Sequence, residues 1–189
     1  MNIFYLDTDP AKAAEMQIDK HVVKMVLESA QLLCTCHRVL DGEHGYKVSA
    51  AGRRLQTWTH PDPVKEATLY KSQHFNHPCS LWLRESVENY NWLYEHFIAL
   101  GEEYTRRYNK THLSITKLKD ILKEPPKNIP QVPFTEPKQA TLPEYYIEGN
   151  PIEGYHKYYQ AEKLPLGNEN DRKRYIEKTG RIIEDKLPF

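Results

Sequence analysis

The chain has 189 residues, 39% of them hydrophobic and 28% charged, which suits one soluble globular domain with a real core. Lysine plus arginine and aspartate plus glutamate stand at 26 each, so net charge offers no broad electrostatic grip on nucleic acid, and any such binding must come from local patches. No apolar run is long enough to span a membrane, no secretory signal is visible at MNIFYLDTDP, and the three cysteines Cys34, Cys36 and Cys79 show no CxxC spacing; a cytoplasmic setting with reduced thiols is expected.

Asn2 to Leu6 reads as a short extended segment, followed by Asp9, which can cap a helix that Pro10 begins. A second helix is predicted from about 19 to 40, stopped by Asp41-Gly42. Residues 43 to 60 lose periodicity and read as a mobile loop, and a third helix fits 62 to 74. A long fourth helix begins at NHPC, with Pro78 in its first turn, and runs to about 109. Its apolar row of Leu83, Val87, Tyr90, Tyr94 and Phe97 is expected to pack against the 19 to 40 helix. A shorter helix is predicted over 113 to 123. The stretch EPPKNIPQVPFTEPKQATLP cannot be regular structure, because its prolines remove backbone donors, and it reads as an ordered strap over the helical core. Helices over about 151 to 163 and 170 to 186 follow. The expected architecture is one all-α domain over 1–189: a helical core (1–123), a proline-rich strap (124–150) and C-terminal helices (151–189).

The stretch DKHVVKMVLESAQ raises a functional question. His21, Lys24, Glu28 and Gln31 fall in one row at steps of three and four, while Val22, Val23, Val26, Leu27, Ala30 and Leu33 cover most of the remaining circumference. A surface helix gives a broader sector to solvent, so the narrow polar stripe suggests a central helix facing a cleft. An ordinary Lys24–Glu28 i,i+4 pair on a thin exposed edge is the alternative. A carboxylate in a cleft beside an amine suits chemistry at a sugar carbon: the amine attacks and the carboxylate handles protons or steadies positive charge. Glu28 is the natural carboxylate. Lys24 and the α-amine of Met1 compete for the nucleophile's role, and α-amino groups lose their proton far more readily than lysine side chains, near about pH 7.7 to 8.0.

The spacing of Asp19, His21 and Glu28 resembles that of the phage pyrimidine-dimer DNA glycosylases of the endonuclease V type, whose first helix carries an Asp-x-His pair followed seven residues after the histidine by the catalytic glutamate. The chain is also similar to uncharacterised phage proteins given that enzyme's name. The resemblance covers residues 1 to 120 at most. It implies an N-glycosylase and lyase whose N-terminal amine attacks C1′ of the sugar, releases the base through an imine and cleaves the strand by β-elimination, with Glu28 as the catalytic carboxylate. It also implies DNA as partner and a phage-infected bacterial host. The family's arginine just before the catalytic glutamate is Leu27 here, and its arginine three residues beyond is Gln31. Met1 before Asn2 is usually retained, so the attacking amine would be that of Met1. An enzyme acting on a free or modified nucleotide, and a non-enzymatic phage protein docking on a host factor, remain open alternatives.

Other constellations bear on binding. HFNHPCSLWLRE brings His74, His77, Cys79 and Arg84 near a helix start, where backbone N–H groups can hold a phosphate. Its Pro-Cys resembles that of zinc deaminases, but Trp82 stands where the second cysteine belongs. Lys127 joins His21, Gln31, His77 and Arg84 as a candidate substrate contact. Candidate basic patches are Arg106, Arg107, Lys110, His112, Lys117, Lys119 and Lys123, and the Arg172 to Arg174 cluster. Trp58, Trp82 and Trp92 are candidates to stack on a flipped base, with packing the more frequent role of such residues. His156, Tyr159 and Lys163, at helical spacing, would serve a phosphate or a partner helix. No metal is expected at His37, Cys34 and Cys36, and no cofactor is expected.

Overall fold

A computed structural model describes residues 1–181 of the protein. The architecture is predominantly helical, with one small antiparallel sheet. Helix α1 (Pro10–Glu15) starts where Asp9 accepts the N–H groups of Ala11 and Lys12 and Pro10 fills the first position. Helix α2 (Asp19–Asp41) has no local side-chain cap. Its starting donors are met from far along the chain: the Ile18 N–H donates to the Tyr159 hydroxyl (2.9 Å) and the Asp19 N–H to the Asp171 carboxylate (2.9 Å). No helix among the described residues is long and apolar enough to cross a membrane.

Residues 43 to 60 form a hairpin rather than a mobile loop. Strand β1 (Glu43–Val48) pairs antiparallel with β2 (Arg54–Thr59), with Gly52 at φ 74° in the connection. The architecture is therefore not purely all-α. Helix α3 (Pro63–Thr68) is shorter than predicted, and residues 69–77 run on as an irregular loop.

The expected single helix from 78 to 109 is two: α4 (Pro78–Leu83) and α5 (Val87–Tyr108). The break lies at Ser86, whose hydroxyl accepts the Glu88 N–H and so caps α5 from within the apolar row. The Val87 N–H donates to the Pro130 carbonyl and the Asn89 amide to the Trp82 carbonyl, so the polar groups freed by the break are met by other segments. Helix α6 (Leu113–Leu118) is also shorter than predicted. Residues 124–142 contain no helix or strand and bond to the body at Pro130, Val132, Thr135 and Ala140. Helix α7 (Pro151–Tyr158) passes into a π-helical turn, Tyr159–Lys163, and α8 (Glu169–Thr179) completes the order. The predicted extension of this last helix to 186 lies partly outside the described residues.

The core pairs α2 with α5, and α1 lies against α5. Val22, Val26, Leu33, Trp82, Leu93, Phe97 and Leu100 are all fully buried in it. Val23 and Leu27, expected among the apolar cover of α2, are instead exposed at 40% and 37%. The N-terminal segment joins the core without forming a strand: Ile3 and Leu6 are buried, and the Asn2 Oδ1 accepts the N–H groups of Ile3 and Phe4. Phe4 takes a left-handed conformation at φ 43°, a strained backbone for a bulky residue.

Arg38, fully buried on α2, ties the hairpin and the 69–77 loop to the core. Its Nε donates to the Tyr70 carbonyl, Nη1 to the Trp58 carbonyl and the Glu66 carboxylate, and Nη2 to the carbonyls of Glu66 and Leu69. All five guanidinium donors are thus used. Replacing Arg38 by Met keeps much of the volume but strands four carbonyls and leaves the Glu66 carboxylate to Lys71 and the His60 N–H alone. The expected cost is about 3 to 5 kcal/mol of unfolding free energy, read from urea denaturation; a loss of under about 1 kcal/mol, the scale of an exposed ion pair, would show the network to be incidental.

Candidate active site

Glu28 lies midway along α2 and is 8% exposed. Its two oxygens face different cations. Oε1 is 3.1 Å from the Lys24 ammonium one turn earlier; Oε2 is 3.6 Å from the Met1 α-amino group and accepts the Asn2 N–H at 3.2 Å. The Met1 side chain is only 3% exposed while the residue as a whole is half-buried, so the part of Met1 that solvent reaches is its main-chain end. Lys24, in contrast, is 68% exposed at the rim. A carboxylate placed between a partly accessible terminal amine and a solvated side-chain amine can accept a proton from the first and steady positive charge formed there.

The Asn2 side chain positions this amine. Its Oδ1 holds the next two backbone N–H groups and its Nδ2 donates to the Ala140 carbonyl (2.8 Å), so the first residues cannot swing away from Glu28 without breaking these bonds.

His21 forms the next layer. Its ring stacks on Phe4 with centroids 4.7 Å apart, and its Nδ1 lies 2.9 Å from the Tyr159 hydroxyl. That hydroxyl already accepts the Ile18 N–H, so its own proton goes to Nδ1 and the His21 ring proton sits on Nε2. Burial first, then the Lys163 and Lys24 ammonium groups, push His21 down to about 4, against the opposing pull of Glu28. His21 is therefore a neutral imidazole near pH 7. The π-helical turn brings Tyr159 to this ring, and Lys163 lies with its ammonium 4.7 Å over the Tyr158 ring.

The 69–77 loop brings His77 within electrostatic reach of the Met1–Glu28 pair. The His77 Nδ1 accepts the Cys79 N–H and caps α4, which leaves a proton on Nε2. Burial lowers the His77 pKa, and the Met1 ammonium and His74 lower it further while Glu28 opposes them, so this imidazole senses both members of the pair. His74 is left-handed at φ 47°. Burial pushes the Cys79 thiol up to about 11, so it is not a rival nucleophile near neutral pH.

The structure thus brings Met1, His21, Lys24, Glu28 and His77 into one neighbourhood. Gln31 is half-buried one turn beyond Glu28. Arg84 directs two of its guanidinium donors to the Ser80 hydroxyl and the Phe75 carbonyl, both at 2.7 Å, and so holds the loop that carries His77. Lys127 lies elsewhere. Its N–H donates to Asp41 at the far end of α2, 13 residues and so about 20 Å along the helix from Glu28. Asp19 pairs with Arg107 and Arg174 at the start of α2 and ties that helix to α5 and α8.

In the predicted basic patches the arginines are committed to ion pairs, Arg106 and Arg107 to Glu103 and Arg174 to Asp171 and Asp19, and Lys173 pairs with Glu169, whereas Lys110, Lys117, Lys119 and Lys123 are exposed and have no carboxylate partner among the described residues. Trp58, Trp82 and Trp92 are all buried and serve packing. His156 is buried with its Nδ1 2.6 Å from the Tyr175 hydroxyl, a structural contact. Sequence reasoning did not single out Asn2 and Phe4, and their only signal was proximity to the terminal amine.

One histidine cluster could hold a metal: His37, Asp41 and His60 bring ligand atoms within 4.8 Å of one another. The proton positions oppose it. The His60 Nδ1 accepts the Asp62 N–H, which leaves its proton on Nε2, the nitrogen 4.0 Å from Asp41, and the Lys65 ammonium already lies 3.4 Å from the His37 Nδ1. The three residues are held by partners outside the set, Asp41 by the Lys127 and Asn128 N–H groups and His37 Nε2 by the Tyr90 hydroxyl, while the buried His60 Nε2 has no hydrogen-bond partner among the described residues.

No family model matches the chain, and neither a curated protein nor a solved structure matches it.

Four histidines share one electrostatic state. Burial is the leading cause in each, pushing His21, His96 and His156 down to about 4 and His37 to about 3. Their ordinary value is about 6.5. Between pH 6.5 and about 4 the unfolded chain therefore binds protons that the folded chain refuses, so this stability is complete above 6.5 and is lost as pH falls. Lowering the pH from 7.5 to 5.0 should reduce the unfolding free energy by about 2 kcal/mol per histidine. Equal urea midpoints and slopes at the two pH values would contradict it.

Proposed function

We propose that this protein is a DNA repair-type N-glycosylase and AP lyase, acting on pyrimidine dimers or modified pyrimidines through an imine formed by its own amine. The observation that carries the reading is the Met1 α-amino group 3.6 Å from a buried glutamate, at the spacing from Asp19 and His21 that the endonuclease V resemblance demands. Two amines were candidates on chemical grounds. The Asn2 anchor and the partial access of the Met1 main chain favour Met1 as nucleophile, while the solvated Lys24 ammonium suits a phosphate at the rim.

In this mechanism the neutral Met1 amine attacks C1′, the C1′–N bond breaks, and its electrons leave with the base. Glu28 takes the proton that the amine releases. Glu28 passes that proton to O4′ as the sugar ring opens, which gives an imine between Met1 and C1′ and leaves Glu28 charged again, while the departing base takes a proton from water. Removal of a C2′ proton, with Glu28 as the nearest carboxylate, expels the 3′ phosphate with the C3′–O electrons. Water then hydrolyses the imine and frees the amine. The His77 Nε2–H is a hydrogen-bond donor within electrostatic reach of the same pair.

Borohydride trapping on duplex DNA containing an abasic site or a pyrimidine dimer tests this directly, because reduction fixes the imine as a stable adduct. The adduct is expected on Met1 by mass spectrometry, and adding two glycines before Met1 should abolish it by moving the amine. Glu28→Gln keeps the shape but removes the proton-accepting charge, and should slow turnover roughly a hundredfold or more. An adduct on Lys24 would reassign the nucleophile. No adduct with any DNA substrate, together with wild-type behaviour of Glu28→Gln, would sink the glycosylase reading in favour of an enzyme acting on a free nucleotide.

A further inference from the structure

Leu27 and Gln31 stand where the resembling family has arginines, the chain carries no net charge, and the arginines of α5 and α8 named above are engaged by carboxylates. An enzyme of DNA must hold its phosphates with something else. The β1–β2 hairpin has the required properties. Lys47, Arg53 and Arg54 are exposed near its tip, and none of them has a carboxylate partner among the described residues. Its one acidic residue, Glu43, is at the base, where β1 begins.

The hairpin is also unburied on both faces. Tyr46, Val48 and Leu55 are exposed at 53%, 73% and 40%. A free two-stranded ribbon is marginal in water, and this one is steadied on one face by cross-strand stacking. Arg54 lies 3.6 Å over the Tyr46 ring, His44 lies 5.0 Å from both Tyr46 and Trp58, and Trp58 lies 4.7 Å from Phe75. This ladder runs from the basic tip down to the loop that carries His77. The hairpin and the candidate site are therefore linked through that loop, and along α2 the hairpin's root at Asp41 is about 20 Å from Glu28, roughly six base pairs at 3.4 Å each. A two-stranded ribbon fits the major groove of a duplex.

We infer that the β1–β2 hairpin is the DNA-gripping element of this protein, with Lys47, Arg53 and Arg54 on the phosphates and the Tyr46 face turned to the groove. The inference rests on the reading of the protein as one that acts on DNA. It gives a chain of zero net charge a way to hold a polyanion: three cations stand together on a projecting ribbon whose one acidic residue is at its base, while Arg106, Arg107 and Arg174 are held in ion pairs.

The test compares wild type with the triple variant K47S/R53S/R54S, and with Tyr46→Ser, by fluorescence anisotropy on a labelled duplex containing a stable abasic analogue, over a range of salt. The substituted side chains are exposed and lie outside the core, so the melting temperature should fall by no more than about 3 °C even though Arg54→Ser and Tyr46→Ser each remove the stacking contact between these two side chains. The triple variant should bind about tenfold more weakly or worse, and its plot of log affinity against log salt should be shallower by about 2 to 3. Tyr46→Ser should weaken binding without altering that slope. Equal affinity and slope for the triple variant, or no DNA binding by wild type, would overturn the inference. Borohydride trapping on the same proteins separates it from the chemistry. A wild-type adduct that the triple variant forms equally well at limiting DNA leaves the mechanism standing and removes the hairpin's role. Hairpin-dependent binding with no adduct does the reverse.

Discussion

A guanidinium buried without solvent must satisfy five donors at once, and Arg38 does so with four backbone carbonyls and one carboxylate drawn from residues 58 to 70. That constraint organises the half of the molecule around the end of α2. The Trp58 carbonyl belongs to the hairpin, Glu66 to α3, and Leu69 and Tyr70 to the entry of the loop that continues to His77. Arg84 repeats the device on a smaller scale by holding the Phe75 carbonyl. The loop that carries His77 thus owes its place to two cations that never touch the reacting groups.

The second organising feature is the burial of charge at the other end of the same stripe. Glu28 is buried deeply enough that an unpaired carboxylate would be costly, and it is accompanied by two ammonium groups and a backbone N–H. Around it, burial keeps His21 neutral, so the imidazole adds no further positive charge to a neighbourhood that already holds Met1, Lys24 and Lys163. Strained backbone occurs at Phe4 and His74, the first held by the Asn2 bonds and the second next to Phe75, whose carbonyl Arg84 clamps. Strain of this kind persists only where the surroundings over-determine it.

Zero net charge conceals an uneven distribution. Arg107 bridges Glu103 and Asp19, Arg174 bridges Asp171 and Asp19, and Arg38 neutralises Glu66, so much of the charge serves to tie helices together. The hairpin lies outside that economy of pairs. Composition reports the sum and is silent on which cations remain available to a partner.

The sequence by itself determined the features that depend on neighbours close along the chain. Asp9 and Pro10 announced α1, Asp41-Gly42 the end of α2, and Pro78 the start of α4, because caps and proline act within one turn. Lys24 beside Glu28 was legible for the same reason: i,i+4 spacing puts them on one face. What only the tertiary structure decided rests on partners distant in sequence. The break at Ser86 was hidden inside a continuous apolar row, since its freed groups are met by Pro130, Val132 and Thr135, more than forty residues away. The hairpin carries no strong two-residue turn signal and is steadied by Arg38 and by Trp58 against Phe75. Lys127 looked available to a substrate, but its backbone N–H is held by Asp41, which sets it about 20 Å along α2 from Glu28, and the arginines of the predicted patches pair both with Glu103 and Asp171 on their own helices and with the distant Asp19. The juxtaposition of Met1 with Glu28, 27 positions apart, followed from threading the Asn2 to Leu6 segment into the core, where burial of Ile3 and Leu6 and the Asn2 bonds hold the amine in place.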